Sequence, residues 1–336
     1  MPDPADTRQL GRVSLRVSLL GFGSGPLGGL IKATDDAAAR DALKAAHDAG
    51  LRYVDTAPLY GSGLAERRVG DALIDLGRTD FVISTKVGRI LKPRRDDPAT
   101  PAPTTFHGAL PFNVEFDYGY DGVMRSFEDS LQRLGTDRVD ILLVHDINRK
   151  YQGDRIHDRV KEVMTGGHRA LEELRSQKVI GAFGAGINDL EVCTMLMREG
   201  DFDCFMVPGR YTLLNRDAAK EFLPECHRRN IGVLLAAPYE SGILATGAVP
   251  GAMFNYVPAT PEVLQRVRKI QDVCDAHGVT LAAAALQFPL RQPMITSVVV
   301  GMRSRAEVLQ NAAWMKEKID EAFWSELEHN IIPCGD

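Results

Sequence analysis

No two cysteines in this chain stand close enough to make a CxxC pair. The five present, Cys193, Cys204, Cys226, Cys274 and Cys334, are scattered and odd in number. That pattern argues against a disulfide framework or a zinc cluster, so no metal is expected, and it fits a reducing cytoplasm. Basic charge is short as well: 40 Lys and Arg against 45 Asp and Glu leave a net charge of −5. Nucleic acid is therefore not an expected partner. No apolar run approaches the roughly 18 residues that cross a bilayer, and the opening MPDPADTRQLGR lacks the apolar core of a secretory signal. A cytoplasmic protein without a membrane partner is the expectation. A dinucleotide turn of the form G-x-G-x-x-G is also missing, because GFGSGPLGG places Pro26 where the third glycine belongs. Those glycines read as a tight turn at a barrel rim. With no low-complexity linker to divide it, the chain reads as one domain over residues 1–336, and 44% hydrophobic content is enough for a large core.

What the chain does have is a repeated alternation. Short apolar, partly β-branched runs recur as VSLLGFG (18–24 region), LRYVDTA (51–57), FVISTKVG (81–88), DILLVHD (140–146), VIGAFGAG (179–186), FDCFMVPG (202–209), GVLLAAPY (232–239) and SVVVGM (297–302). Runs of this kind are expected of strands buried on both faces of a parallel sheet. Helical patterns lie between them. DDAAARDALKAAHDAG offers Asp35 or Asp36 as N-cap and Gly50 as stop, and DGVMRSFEDSLQRLG sets Val123, Phe127, Leu131 and Leu134 on one face before Gly135. Thr260 followed by Pro261 opens a further helix toward His277-Gly278. Eight strands alternating with helices favour a closed (β/α)8 barrel over an open doubly wound sheet. The segment from Lys92 to Tyr120, rich in Pro, Thr and Asp, is too long for an ordinary connection and reads as an active-site loop after strand three.

In such a barrel, chemistry gathers at the C-terminal ends of the strands. Asp55 ends strand two with Tyr60 just beyond, Lys86 ends strand three and His145 ends strand four. Each alone has an ordinary reading: a turn cap, rim packing, a solvated strand end, a structural histidine. Together they place an acid, a lysine, an imidazole and a phenol at one mouth. A lysine there is costly unless paired, and Asp55 is the obvious partner. The set supports proton transfer by the phenol, whose pKa near ~10 a neighbouring cation would bring down. His145 would orient the substrate oxygen.

These four residues, within VDTAPLYG, ISTKVG and VDILLVHD, resemble the catalytic tetrad of the aldo-keto reductases, and the resemblance runs from Leu10 to about Asn311. It implies a (β/α)8 barrel, an extended nicotinamide cofactor bound without a Rossmann turn, and Tyr60 as proton donor or acceptor during hydride transfer. GFGSGPLGG, RSFEDSLQRLG, RYTLLN and PYESGILATG are similar to the sugar dehydrogenases of that family, such as L-fucose, D-threo-aldose and L-galactose dehydrogenases, with pyridoxal 4-dehydrogenase as a relative. Those oxidise a cyclic hemiacetal to a lactone, which implies an aldose substrate with Tyr60 as base. Alternatives are pyridoxal oxidation or general aldehyde and ketone reduction. Of another class are family relatives that serve as cofactor-sensing regulatory subunits; turnover distinguishes them. Oligomeric state is not legible.

For the cofactor, the resemblance implies Gly23 and Ser24 after strand one, Asp55 after strand two, Gly186 and Asn188 after strand five and Arg210 after strand six. It adds Pro238, Ser241, Gly242 and Leu244 after strand seven, then Gly301, Met302, Arg303, Glu307, Gln310 and Asn311 after strand eight. There are departures. Gly184-Ala185-Gly186-Ile187-Asn188 replaces the usual Ser-Asn, Pro208 stands where a glutamine is usual, and Ala236 falls at the nicotinamide-stacking aromatic unless Tyr239 takes that role. Glu307 stands where NADP-preferring members carry a basic residue, so NAD is expected over NADP, although Arg303 and Arg305 could reach a phosphate.

Overall fold

Eight parallel strands close into a barrel in chain order: β1 (Leu20–Gly23), β2 (Tyr53–Asp55), β3 (Val82–Val87), β4 (Ile141–His145), β5 (Ala182–Gly186), β6 (Cys204–Met206), β7 (Gly232–Ala236) and β8 (Ile295–Gly301), with β8 pairing back onto β1. The computed structural model describes residues 2–95 and 105–330. Almost every strand residue is buried, because helices cover the outside while side chains fill the inside. The filling is a cluster of Tyr53, Ile141, Leu143, Ala182, Cys204, Met206, Leu234 and Val299, joined by Leu10 and Val17.

Those last two belong to a feature the sequence reading did not separate. The run VSLLGFG is two elements: Arg16–Ser18 pairs antiparallel with Thr7–Gln9, and only Leu20–Gly23 enters the barrel. Strands of three residues carry too little periodicity to stand out in a sequence. Packing Leu10 and Val17 against the barrel filling is what holds this hairpin.

The helices follow their capping signals. In α1 (Asp36–Asp48), the Asp35 carboxylate accepts from Ala38 N at 2.7 Å, and Gly50 takes the left-handed stop at φ +80. In α2 (Leu64–Leu76), the buried face is Ala65, Val69, Ala72 and Leu73. In α3 (Tyr120–Leu134), Val123, Phe127 and Leu134 are buried and Gly135 caps in the left-handed region. The helix opened by Thr260 spans Pro261–His277 and ends at Gly278, as its signals predict. After β8 comes α4 (Arg305–Met315), capped by Ser304.

The segment after β3 is less open than a plain loop. Arg89–Pro93 pairs with Phe112–Phe116 as an antiparallel hairpin; residues 96–104 and Cys334 lie outside the described residues. The returning chain is stitched across the mouth, His107 N to Gly29 O at 2.9 Å and Leu110 N to Gly61 O at 3.0 Å. The other four cysteines are free and buried, and among the described residues no cluster could hold a metal. No described helix is long and apolar enough to cross a membrane.

Candidate active site

Strand register explains how four distant residues converge. Asp55 lies level with Ser84, Lys86 with Leu143, and His145 with Gly186. Because side chains alternate along a strand, Tyr53 and Asp55 share one face, as do Ser84 and Lys86 on the neighbouring strand. The stagger between neighbours is the shear of a closed barrel, and it carries successive inward side chains toward the mouth.

A hydrogen-bonded chain results. Tyr53 Oη lies 2.9 Å from Ser84 Oγ, which donates to Asp55 Oδ1 at 2.7 Å. Lys86 Nζ donates to Asp55 Oδ1 and Oδ2 at 2.9 and 2.7 Å, to Thr56 O at 2.8 Å and to Tyr60 Oη at 3.1 Å. Asp55 is 3% exposed and Lys86 2%. Burial pulls the lysine's pKa down, but the charge of Asp55 and the hydrogen bonds to Asp55 and Tyr60 outweigh it and raise the pKa. The ammonium therefore stays charged with more acceptors than it has protons.

Tyr60 sits over this pair, its ring 4.7 Å from Lys86 Nζ and edge-on to the His145 ring at 6.1 Å. The expectation that a cation brings the phenol down is met only in part. Burial pushes the phenol up, Lys86 pulls it down and Asp55 pushes it up again, leaving it above its ordinary value. Tyr60 therefore rests as a protonated phenol at neutral pH, with Lys86 limiting the cost of its ionisation. His145 is held well below the usual imidazole range by burial and by the charges of Arg89 and Lys86, so it is neutral. A neutral imidazole offers one N–H donor and carries no charge to compete with Lys86. Its backbone is fixed from below by the buried Tyr118, whose Oη donates to His145 O at 2.7 Å.

Tyr60 itself is placed by close backbone packing. A Cβ at Gly28 would come within 2.5 Å of Tyr60 C and 2.7 Å of Gly61 N. Gly28→Ala must displace the Tyr60 backbone, so it is expected to lower kcat by about 10-fold or more while thermal melting still shows a cooperative fold. Unchanged kcat would show that the turn relaxes without moving the phenol.

Sequence reasoning missed several residues around this set. Phe106 lies 6.0 Å from the Tyr60 ring, brought there by its bridge to Leu30. Arg89, three residues beyond Lys86, is buried beside His145 and paired with Asp146 at 3.2 Å. Asp146 has φ +47 and accepts from Asn188 N and Nδ2 at 3.3 and 3.1 Å, tying the loop after β4 to that after β5. The only available signals were the dipeptides Gly88-Arg89 and His145-Asp146, which have no pattern of their own.

The residues expected along the cofactor lie at the ends of β1, β2, β5, β6, β7 and β8 and beyond them, on the same rim. A Cβ at Gly23 would crowd Val300 O at 3.1 Å, and one at Gly186 would touch Lys86 Cε at 3.4 Å. Arg210 Nε donates to Asn188 O at 2.7 Å. After β7, Ala237, Glu240, Ser241 and Gly242 all have positive φ, so a costly turn carries Pro238 through Leu244. Tyr239 is not free to stack: its hydroxyl donates to Asn311 Oδ1 at 2.6 Å, and its ring meets Trp314 at 6.1 Å. Leu244 and Met302 are buried, whereas Gln310 and Gly301 are exposed. Glu307 accepts from Arg303 N at 2.8 Å, with Arg303 Nε 3.6 Å from its carboxylate. Arg305 instead turns to Asp41 of α1 at 2.6 Å.

Two buried donors on this rim, Ser24 Oγ and Arg303 Nη1, have no hydrogen-bond partner among the described residues. An unsatisfied hydroxyl and guanidinium at the strand ends fit an anionic dinucleotide lying across them.

A parallel barrel with a lysine-coupled phenol and a neutral histidine at its mouth is equipped to exchange a proton with a bound molecule. The chain belongs to the aldo/keto reductase family, whose model matches residues 19–331. It is 42% identical over 332 residues to the pyridoxal 4-dehydrogenase of Microbacterium luteolum, covering 96% of both chains. It is 38% identical to the D-threo-aldose 1-dehydrogenase of a Pseudomonas species, covering 95% of this chain and 96% of that one. Among solved structures, an aldo-keto reductase from Bacillus halodurans in its holo form superimposes with a TM-score of 0.75 at 25% identity, over 96% of this chain and 95% of that one. The protein is an NAD(P)-dependent oxidoreductase.

Proposed function

We propose that the protein oxidises the hydroxyl-bearing carbon of a cyclic hemiacetal to a lactone, with an aldose of the L-fucose or L-galactose type as substrate. The observation that carries this is the contact of Lys86 Nζ with both Asp55 and Tyr60 Oη, which makes the phenol a proton-transfer group. Similarity to aldose and pyridoxal dehydrogenases supports the substrate class, because both aldoses and pyridoxal close to hemiacetals. Pyridoxal is the second reading, favoured by the rings of Phe106, Phe116 and Tyr151 around the mouth.

In this mechanism His145 donates to the substrate oxygen and aims its proton at Tyr60 Oη. The phenolate form of Tyr60 accepts that proton in oxidation and the phenol returns it in reduction, while Lys86, held in place by Asp55, stabilises the negative charge on its oxygen. When bound, the nicotinamide supplies the site for the hydride that leaves the same carbon. Following NAD(P)H formation across aldoses, pyridoxal and simple alcohols tests this. Oxidation of an L-fucose- or L-galactose-like pyranose faster than any simple aldehyde is reduced supports it. Strong pyridoxal oxidation with no sugar activity moves the protein to the second reading, and cofactor binding without any turnover overturns both.

NAD is the preferred cofactor in this reading. Arg305 is committed to Asp41 and Arg303 Nε is paired with Glu307, which leaves Arg303 Nη1 as the donor that Glu307 has to outweigh. Glu307 also caps the turn, but its carboxylate repels a phosphate and accepts a free 2′-hydroxyl. Glu307→Arg is expected to shift the ratio of Kd values toward NADP by at least ~10-fold, with kcat/KM following. A clear NADP preference in the unmodified protein would put the arginines, rather than Glu307, at the ribose.

A further inference from the structure

Arg89 is a buried charged group whose field reaches His145 and which the proton-transfer chemistry does not use. Its side chain is 2% exposed, a costly place for a cation, and the rings of Phe116 and Tyr151, packed against each other at 6.5 Å, lie 5.2 and 4.8 Å from its guanidinium carbon. Nη2 donates to Asp146 Oδ2 at 3.2 Å. Nε, also buried, has no partner among the described residues. A guanidinium presents its donors around its edge and stacks through its faces. Here one corner is taken by Asp146, and the Nε donor is left unsatisfied on a residue whose charge is felt at His145. An unpaired donor on a buried cation is expensive unless a ligand completes it.

We propose that Arg89 is the specificity-determining residue of this site, and that its unpaired Nε binds an oxygen substituent on the substrate ring next to the carbon bearing the reacting centre. An ionised oxygen is bound best, since a charge-assisted hydrogen bond is roughly twice as strong as a neutral one. Among cyclic hemiacetals, the oxygen read is the hydroxyl beside the reacting carbon of an aldose or the ring oxide ortho to it in pyridoxal, and the oxide is the tighter-binding probe of the contact. This inference rests on the hemiacetal reading above and names the substrate feature that would be read. Tyr151, 47% exposed on the short helix Arg149–Gln152, is the cover over the guanidinium that solvent reaches. The Phe116 side is held by the hairpin after β3.

The test separates binding from turnover. In the Tyr60→Phe protein loaded with NAD, pyridoxal and 3-deoxypyridoxal are titrated by calorimetry. Pyridoxal should bind at least ~10-fold more tightly, and the advantage should fade as acid protonates its ring oxide. Adding Arg89→Met should bring the two Kd values together, and Arg89→Lys should restore part of the difference. Because Arg89→Met leaves Asp146 without its cation, Arg89→Met with Asp146→Asn serves as the variant if the first does not fold. Equal Kd values before any Arg89 change, or a difference that survives its removal, overturn the proposal. Turnover is read separately in the unmodified enzyme. If it oxidises no hemiacetal yet keeps the Kd difference, the reaction assignment falls and the role of Arg89 stands.

Discussion

Tyr60→Phe should fold normally, keep its cofactor affinity and lose at least ~10² in kcat. The substitution deletes one oxygen, and that oxygen is the atom at 3.1 Å from Lys86 Nζ. Packing survives because the ring contacts to Phe106 and His145 involve carbon. The pH dependence identifies the role. With the phenol held above its ordinary value, the phenolate needed to accept a proton is scarce at neutral pH and grows as pH rises. Oxidation should therefore climb toward alkaline pH, whereas reduction, which uses the phenol, should be level through neutrality and fall only in alkali. In Tyr60→Phe both trends should vanish. The neutral His145 adds no limb near pH 6.5, because its pKa lies well below that. Near-wild-type turnover in Tyr60→Phe would remove the residue from the chemistry.

Lys86→Met should have the second largest effect, on stability as well as rate. Removing one member of a buried pair strands the other, and Asp55 would keep only the Ser84 hydroxyl among its side-chain donors. The cost is about 3–5 kcal/mol, readable in urea melts. Kinetically, the influence that lowers the Tyr60 pKa disappears while that of Asp55, which raises it, stays. The alkaline rise in oxidation should move to still higher pH. Combining Lys86→Met with Asp55→Asn separates the two effects. Stability should largely return because no charge is left stranded, while the rate should not, because the phenolate still lacks its cation. A profile that loses amplitude without moving would mean that Lys86 acts only as a structural tie.

The sequence by itself determined the alternation that builds the barrel, since a buried parallel strand and a capped helix each write a local pattern. Asp35, Gly50, Thr260, Pro261 and Gly278 stand where their caps and stops require. It also determined which polar residues end β2, β3 and β4, because a charge closing an apolar run is visible without neighbours. What it could not carry was any relation set by register or by the balance of opposing effects. Ser84 bridges Tyr53 and Asp55 only because barrel shear brings β2 and β3 level there. The net rise of the Tyr60 pKa follows from burial, which depends on the whole mouth and outweighs the adjacent cation. Arg89 had no signal at all: one arginine after a glycine acquires meaning only when Asp146, Phe116 and Tyr151, from three other places in the chain, close around it. Local periodicity is written in the order of residues, whereas the environment of a charge is the sum of everything folded against it.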